Sequence, residues 1–261
     1  MLTLDAARHA TIRDLDATLS RMRGLHMSDW SRPTPCADWR IADLAAHLAE
    51  SAFSLSVQAA RAVEVRAGTV LQLEDSATPN PRASPDRILE RLTHARNQLY
   101  HVVQLLQPED ETFEVAQDAG DGPPYSIERL LAVCAAEFGI HRFDLEYAMG
   151  EHDAGVSQET ILAASQIYGP WLDSFAKRHD HVPDRPLSVH LEGELIDATL
   201  SWNGKSWQNR KVPTVPVTHI RGDDSTITLF LYGRIPADDH RLDIEGDLTV
   251  AASFKTWVPG P

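Results

Sequence analysis

The sequence predicts an α+β protein in which a four-helix bundle precedes a smaller domain of mixed strands and helices. Two observations carry that expectation. Through the first two thirds of the 261 residues, apolar side chains recur every three or four positions, the spacing of helices that bury one face. After His181-Val182-Pro183 the pattern turns to alternation, and Asn203-Gly204 supplies the pair that closes tight hairpins. A chain longer than one typical domain therefore divides into a bundle over residues 1–182 and a C-terminal α+β domain over 183–261.

Each element has its own signal. Ile12, Leu15, Leu19 and Met22 mark a first helix, and Ile41, Leu44, Leu48, Ala52 and Leu55 a second, opened by the capping-type Asp38. SRPTPCAD between them is a turn-rich connection. Ser84-Pro85 starts a third helix through Ile88, Leu92, Leu99 and Val103, closed by Gln107-Pro108. Tyr125-Ser126 begins a fourth, running through Leu130, Val133, Glu137 and His141 towards Gly150, and a fifth from Ser157 towards Arg178 carries Ile161, Ile167, Trp171 and Phe175. Beyond residue 183, PLSVHLEG, ELIDATLSW, VPVTHIRG and RLDIEG read as strands. STITLFLYGR reads as a short helix with Ile227, Phe230 and Leu231 inward, and Gly233 is well suited to stopping it; DLTVAASFKTW reads as a final helix.

Composition narrows the function classes. With 38 acidic against 24 basic residues the formal charge is −14, which repels a phosphate backbone, and no basic patch offsets it. No apolar run is long enough to cross a bilayer. The first residues, MLTLDAARHATIRDLDATL, read as helix rather than signal peptide, so a cytoplasmic location is expected. Cys36 and Cys134 are too few for a disulfide framework and lack paired thiolate spacing.

Three residues stand out against this background. Glu137 and His141 lie four apart, on one helix face and about 5–6 Å apart at Cβ. His47, close to the apolar stripe of the second helix, can point inward and supply a third ligand from a facing helix, as bundles commonly arrange. Two imidazoles and a carboxylate with an open position form a ligand set of catalytic zinc. Asp144 follows His141 by one turn; it can orient a ligand, carry a proton, or pair with Arg142. His94 and His101 share a face of the third helix, as ligands or as a solvated surface, and His179-Asp180-His181 can chelate at the domain junction. Cys36 is either a nucleophile near a helix start or a small turn residue. Trp30, Trp39 and Trp171 read as packing.

At these residues the chain resembles the mycothiol-dependent maleylpyruvate isomerase-like enzymes of the DinB-like helical-bundle superfamily. The matching text is WSRPTPCADWRIADLAAHLAES with its Thr-Pro-Cys, Trp39 and His47, then EFGIHRFDLE, and LFLYGR near the C-terminus. The resemblance implies a DinB-like N-terminal bundle, a Zn2+ held by His47, Glu137 and His141, and mycothiol or a related low-molecular-weight thiol as cosubstrate. It also implies that Asp144 and Arg234 line the cleft, with Tyr232-Gly233-Arg234 standing where the family commonly has Trp-Gly-Arg. Three functional readings follow. The first is a zinc-dependent thiol S-transferase acting on a small electrophilic metabolite, by addition or thiol exchange, in detoxification or natural-product biosynthesis. The second is a cis-trans isomerase of the maleylpyruvate type, and the third a non-catalytic metal-binding or regulatory protein.

Overall fold

A computed structural model describes residues 2–36, 38–74, 82–115, 124–176, 181–210 and 217–258, without the side chains of 169–175 and 210. The chain forms two compact units, Met1–Ala154 and Gly155–Pro261.

The first unit is built from α1 (Leu4–Arg23), α2 (Ile41–Ala67), α3 (Pro85–Leu105) and α4 (Ile127–Ala148), with a two-stranded ribbon of β1 (Glu114–Val115) and β2 (Tyr125–Ser126) before α4. The predicted helices are present with boundaries close to their sequence signals. The Ser126 hydroxyl caps α4 by accepting from the Arg129 N–H at 3.3 Å. Pro85 sits in the first turn of α3, where its missing N–H has no intrahelical partner to lose. Asp38, however, does not cap α2. It occupies a left-handed turn at φ 66°, and Asp43 accepts the Arg40 N–H at 2.8 Å instead, because the helix begins at Ile41 and the N-cap is Arg40, two residues beyond Asp38.

Packing of α1 and α2 against α3 and α4 encloses a core containing Leu15, Leu44, Leu92, Leu99, Phe138 and Phe143, each at most 1% exposed. Helix α4 differs from its neighbours. Fourteen of its 22 residues are buried, so any ionisable side chain on it must be paired or desolvated at a cost.

In the second unit α5 (Gln158–Ala176) is followed by β3 (Leu187–Glu192), β4 (Asp197–Trp202), β5 (Trp207–Arg210), β6 (Val217–Arg221), α6 (Asp224–Leu231), β7 (Asp243–Glu245) and α7 (Leu248–Trp257). The strands form one sheet in the order β5-β4-β3-β6-β7. All pairings are antiparallel except β3 with β6. The predicted hairpin is the β4–β5 connection: the Asn203 side chain accepts the N–H groups of Lys205 and Ser206 at 2.9 and 3.0 Å, and Gly204 takes φ 92°. The sequence reading assigned α5 to the bundle. Its apolar positions pack instead on β5 and α6, which moves the division of compact units to Ala154–Gly155. Helical periodicity reports that a face is buried, but not against which partner. Trp171 and Phe175, predicted to face inward on this helix, lie outside the described side chains.

Helix α6 ends as its sequence predicts. Gly233 adopts φ 71°, its N–H bonds the Phe230 carbonyl at 2.9 Å, and the Arg234 N–H reaches back to the Leu229 carbonyl at 2.8 Å. This is the paired closure of a Schellman motif. Lys255 of α7 donates to the Leu231 carbonyl at the same helix end. Burial, reinforced by the nearby Arg234 charge, pulls the Lys255 pKa down from 10.5 to about 7. Because the folded pKa lies below the unfolded one, the ammonium opposes folding below pH 7, and stability recovers as pH rises from 7 towards 10.5. Lys255→Met should therefore show a smaller rise in unfolding free energy between pH 7 and 10 than the parent protein in urea titrations; identical slopes would contradict a depressed Lys255 pKa.

Candidate metal centre

Helix α4 carries Glu137, His141 and Asp144, which repeat at helical spacing along one line of the helix. Helix α2 brings His47 and Ser51, also four apart, to the same place. His47 Nε2 and Glu137 Oε1 are 2.7 Å apart, Ser51 Oγ donates to the same oxygen at 2.8 Å, and His141 Nε2 lies 3.6 Å from it. One ligand atom from each of His47, Glu137 and His141 falls within 4.8 Å of the others. The predicted trio is thus brought together.

The surroundings suit a divalent ion. Asp144 is fully buried, and its Oδ2 lies 2.8 Å from His141 Nδ1. When Nδ1–H donates to that carboxylate, the Nε2 lone pair on the Glu137 side is left as the ligand atom. Of the three roles open to Asp144 in the sequence, pairing with Arg142 is not observed: Arg142 turns to Glu146 at 2.8 Å and to Asp14 at 3.1 Å. Cys36 approaches from the far side, its Sγ–H donating to Asp144 Oδ2 at 3.2 Å. Cys36, His141 and Asp144 also form a close group, but it shares His141 through Nδ1, already engaged with Asp144, and therefore backs the ligand trio rather than competing with it. Trp39 packs its ring 4.7 Å from the His47 ring and 6.0 Å from that of His141, restricting both imidazoles.

Electrostatics favour an ionised carboxylate at the centre. Burial pushes the Glu137 carboxyl up, but the charge of His141, the hydrogen bond and charge of His47, and the Ser51 hydroxyl together outweigh it and hold the pKa at about 2. Glu137 is thus an anionic donor throughout the neutral range. One turn away, burial and then the Glu137 charge push the Cys134 thiol far above its ordinary value, which leaves it an inert core residue.

The other candidates separate from this site. His94 faces Glu74 at 3.5 Å on an exposed surface, and His101 is exposed. His179 and Asp180 lie outside the described residues, and His181 is exposed. Arg234 belongs to the second unit, where its guanidinium donates to the Tyr232 carbonyl at 2.7 Å and lines a cavity of about 570 Å³ with Gly233, Pro236 and Lys255. Ser51 was not singled out from the sequence, although its position four residues after His47 was the signal.

Comparison with known proteins gives a family for the N-terminal part and a fold for the whole chain. Residues 12–146, just over half of the chain, match the family described as mycothiol maleylpyruvate isomerase N-terminal domain. No curated protein matches the sequence. Among solved structures, the mycothiol-dependent maleylpyruvate isomerase superposes with a TM-score of 0.65 at 14% identity, covering 94% of this chain and 93% of that one. A histidine-to-alanine variant of it superposes equally well at 13% identity. These two likenesses establish a shared fold. No helix among the described residues is long and apolar enough to cross a membrane.

The trio should retain zinc. Elemental analysis of protein purified without added metal is expected to find close to one tightly held zinc per chain, and His47→Ala, Glu137→Ala or His141→Ala should each remove most of it. Asp144→Asn should fold normally but bind zinc about 10–100-fold more weakly. Full zinc retention by all three alanine variants would remove these residues from the ligand set.

Proposed function

Because the chain belongs to the mycothiol maleylpyruvate isomerase family through its N-terminal domain, we propose that it is a zinc-dependent, mycothiol-using cis-trans isomerase acting on a small, electron-poor, carboxylate-bearing alkene of the maleylpyruvate type. The observation that carries the proposal is the His47, Glu137 and His141 trio with Asp144 behind His141. It supplies nitrogen and oxygen donors without a set of cysteine thiolates, a pattern of open catalytic sites rather than closed structural ones. Zn2+ bound there would favour the thiolate form of a thiol that is otherwise mostly protonated at neutral pH.

The protein's own groups have distinct tasks. Glu137 stays ionised and does not serve as an acid, since its carboxyl is held at about 2. Ser51 and His47 fix its Oε1, and Asp144 fixes the tautomer of His141. Arg234 is proposed, from its place in Tyr232-Gly233-Arg234 and its cavity, to hold an anionic group of the substrate through the planar fork of its guanidinium. The reaction needs no net proton or redox change. A thiolate adds to the activated alkene carbon, the former double bond rotates as a single bond, and expulsion of the same thiolate restores the alkene in the trans geometry.

S-transfer, ranked first from the sequence, shares the addition step and differs in whether the thiol leaves. Incubation with mycothiol and maleylpyruvate, followed by NMR and mass spectrometry, separates the two. The expected result is a thiol-dependent isomer of unchanged mass. A retained adduct would favour S-transfer, and no reaction with either thiol or alkene varied would overturn both. With the productive substrate, Arg234→Ala should keep its zinc and raise KM, and Arg234→Lys should restore it only in part.

A further inference from the structure

The second unit carries another group of metal-ligating side chains, outside the bundle. His190 and Glu192 stand two apart on β3 and so share a face of the sheet, while His219 of β6 is the direct partner of His190 in the parallel β3–β6 pairing. The two imidazole rings meet edge to face at 5.2 Å between centroids. One ligand atom from each of His190, Glu192 and His219 lies within 4.8 Å of the others.

We propose that these three residues form a second site, for a borderline divalent transition-metal ion of the zinc type, clipping β3 to β6. Two independent features support a ligand rather than a chance cluster. The Nδ1 of His190 lies 3.0 Å from the Thr199 hydroxyl; when it donates there, Nε2 is left with the free lone pair, the outer-shell arrangement that orients metal-binding histidines. The Nδ1 of His219 is buried and has no hydrogen-bond partner among the described residues, a polar atom whose desolvation a cation would offset.

Charge is consistent with a cation. Arg221 is the basic side chain of the group, and it bonds Glu192 and Glu245 at 2.8 Å each, with Asp243 at 3.8 Å. Asp197 stands 3.6 Å from His190 Nε2. Three carboxylates around one guanidinium, with Asp197 beside His190, leave excess negative charge next to two imidazoles. Arg221 competes for Glu192, but Glu245 and Asp243 remain to hold it when Glu192 turns to an ion. Tetrahedral zinc with bonds of about 2.0–2.1 Å requires ligand atoms roughly 3.3 Å apart, so the group must contract. Glu192, with its side chain 48% exposed, is the residue free to move. That motion makes this the weaker of the two sites, filled by titration rather than retained through purification. Two imidazoles and a carboxylate suit zinc, cobalt, nickel or copper and do not suit magnesium or calcium.

The bundle trio is removed first, so that failure here is separable from failure of the catalytic reading. The full-length His47→Ala, His141→Ala double variant, its fold checked by circular dichroism, is titrated with Zn2+ by calorimetry and with Co2+ by absorption spectroscopy. One equivalent with a micromolar-range Kd and a raised Tm is expected, with no response to Mg2+. Adding His219→Gln or His190→Gln should weaken that binding at least about tenfold. If the double variant unfolds, the same readout is taken as a second equivalent in the parent chain and its loss in His219→Gln. Absence of that equivalent, binding only at millimolar metal, or binding unchanged by both glutamine substitutions would each overturn the proposal.

Discussion

The carboxylate of Glu137 is the point on which the first unit's polar architecture turns. It sits on the most enclosed helix of the bundle, where an unpaired charge would cost several kcal/mol, and one oxygen is engaged by His47 and Ser51 from α2 with His141 close by on α4. These contacts lock the register of α2 against α4. They also hold the carboxyl ionised against burial, so the group that joins the helices is the one that makes the site anionic. The same residues thereby join the helices and form the candidate metal site.

From that centre the constraints extend outward along α4. His141 spans two environments, with Nε2 towards Glu137 and Nδ1 on Asp144. Asp144, fully buried, is reached in turn by Cys36 from the Thr-Pro-Cys connection before α2. Around the helix, buried Asp14 of α1 is matched by Arg13 and Arg142, which ties α1 to α4 and leaves Asp144 for the histidine. The arginines thus serve Asp14, while Asp144 is held by His141 and Cys36. In the second unit the polar face of β3 and β6 repeats the theme at the surface, with histidines placed opposite each other by strand register.

Much of this was legible because helices and ligand pairs have short-range signatures. Glu137 and His141 share a face whatever the bundle does, and the apolar stripe of α2 fixes the inward side of His47. Gly233 likewise revealed the end of α6, since a left-handed residue there favours glycine. What was not legible depends on long-range partners. Asp38 carries the right side chain for a cap but lies two residues too early. The apolar face of α5 is equally compatible with a bundle or a sheet, and only packing against β5 and α6 decides it. Trp39, read as packing, does pack, but on the His47 and His141 rings of the candidate site. The choice of Asp144 between Arg142 and His141 likewise rested on Asp14, 128 residues from Arg142.

The most direct measurement of the central claim, that Asp144 presents His141 Nε2 to a metal shared with His47 and Glu137, is imidazole 15N NMR of chelator-treated protein titrated with zinc. His141 is expected to keep its proton on Nδ1 throughout, while its Nε2 and one nitrogen of His47 move to metal-bound shifts at the first equivalent. Resonances of both histidines unchanged at one equivalent, or His141 protonated at Nε2 with zinc present, would contradict it.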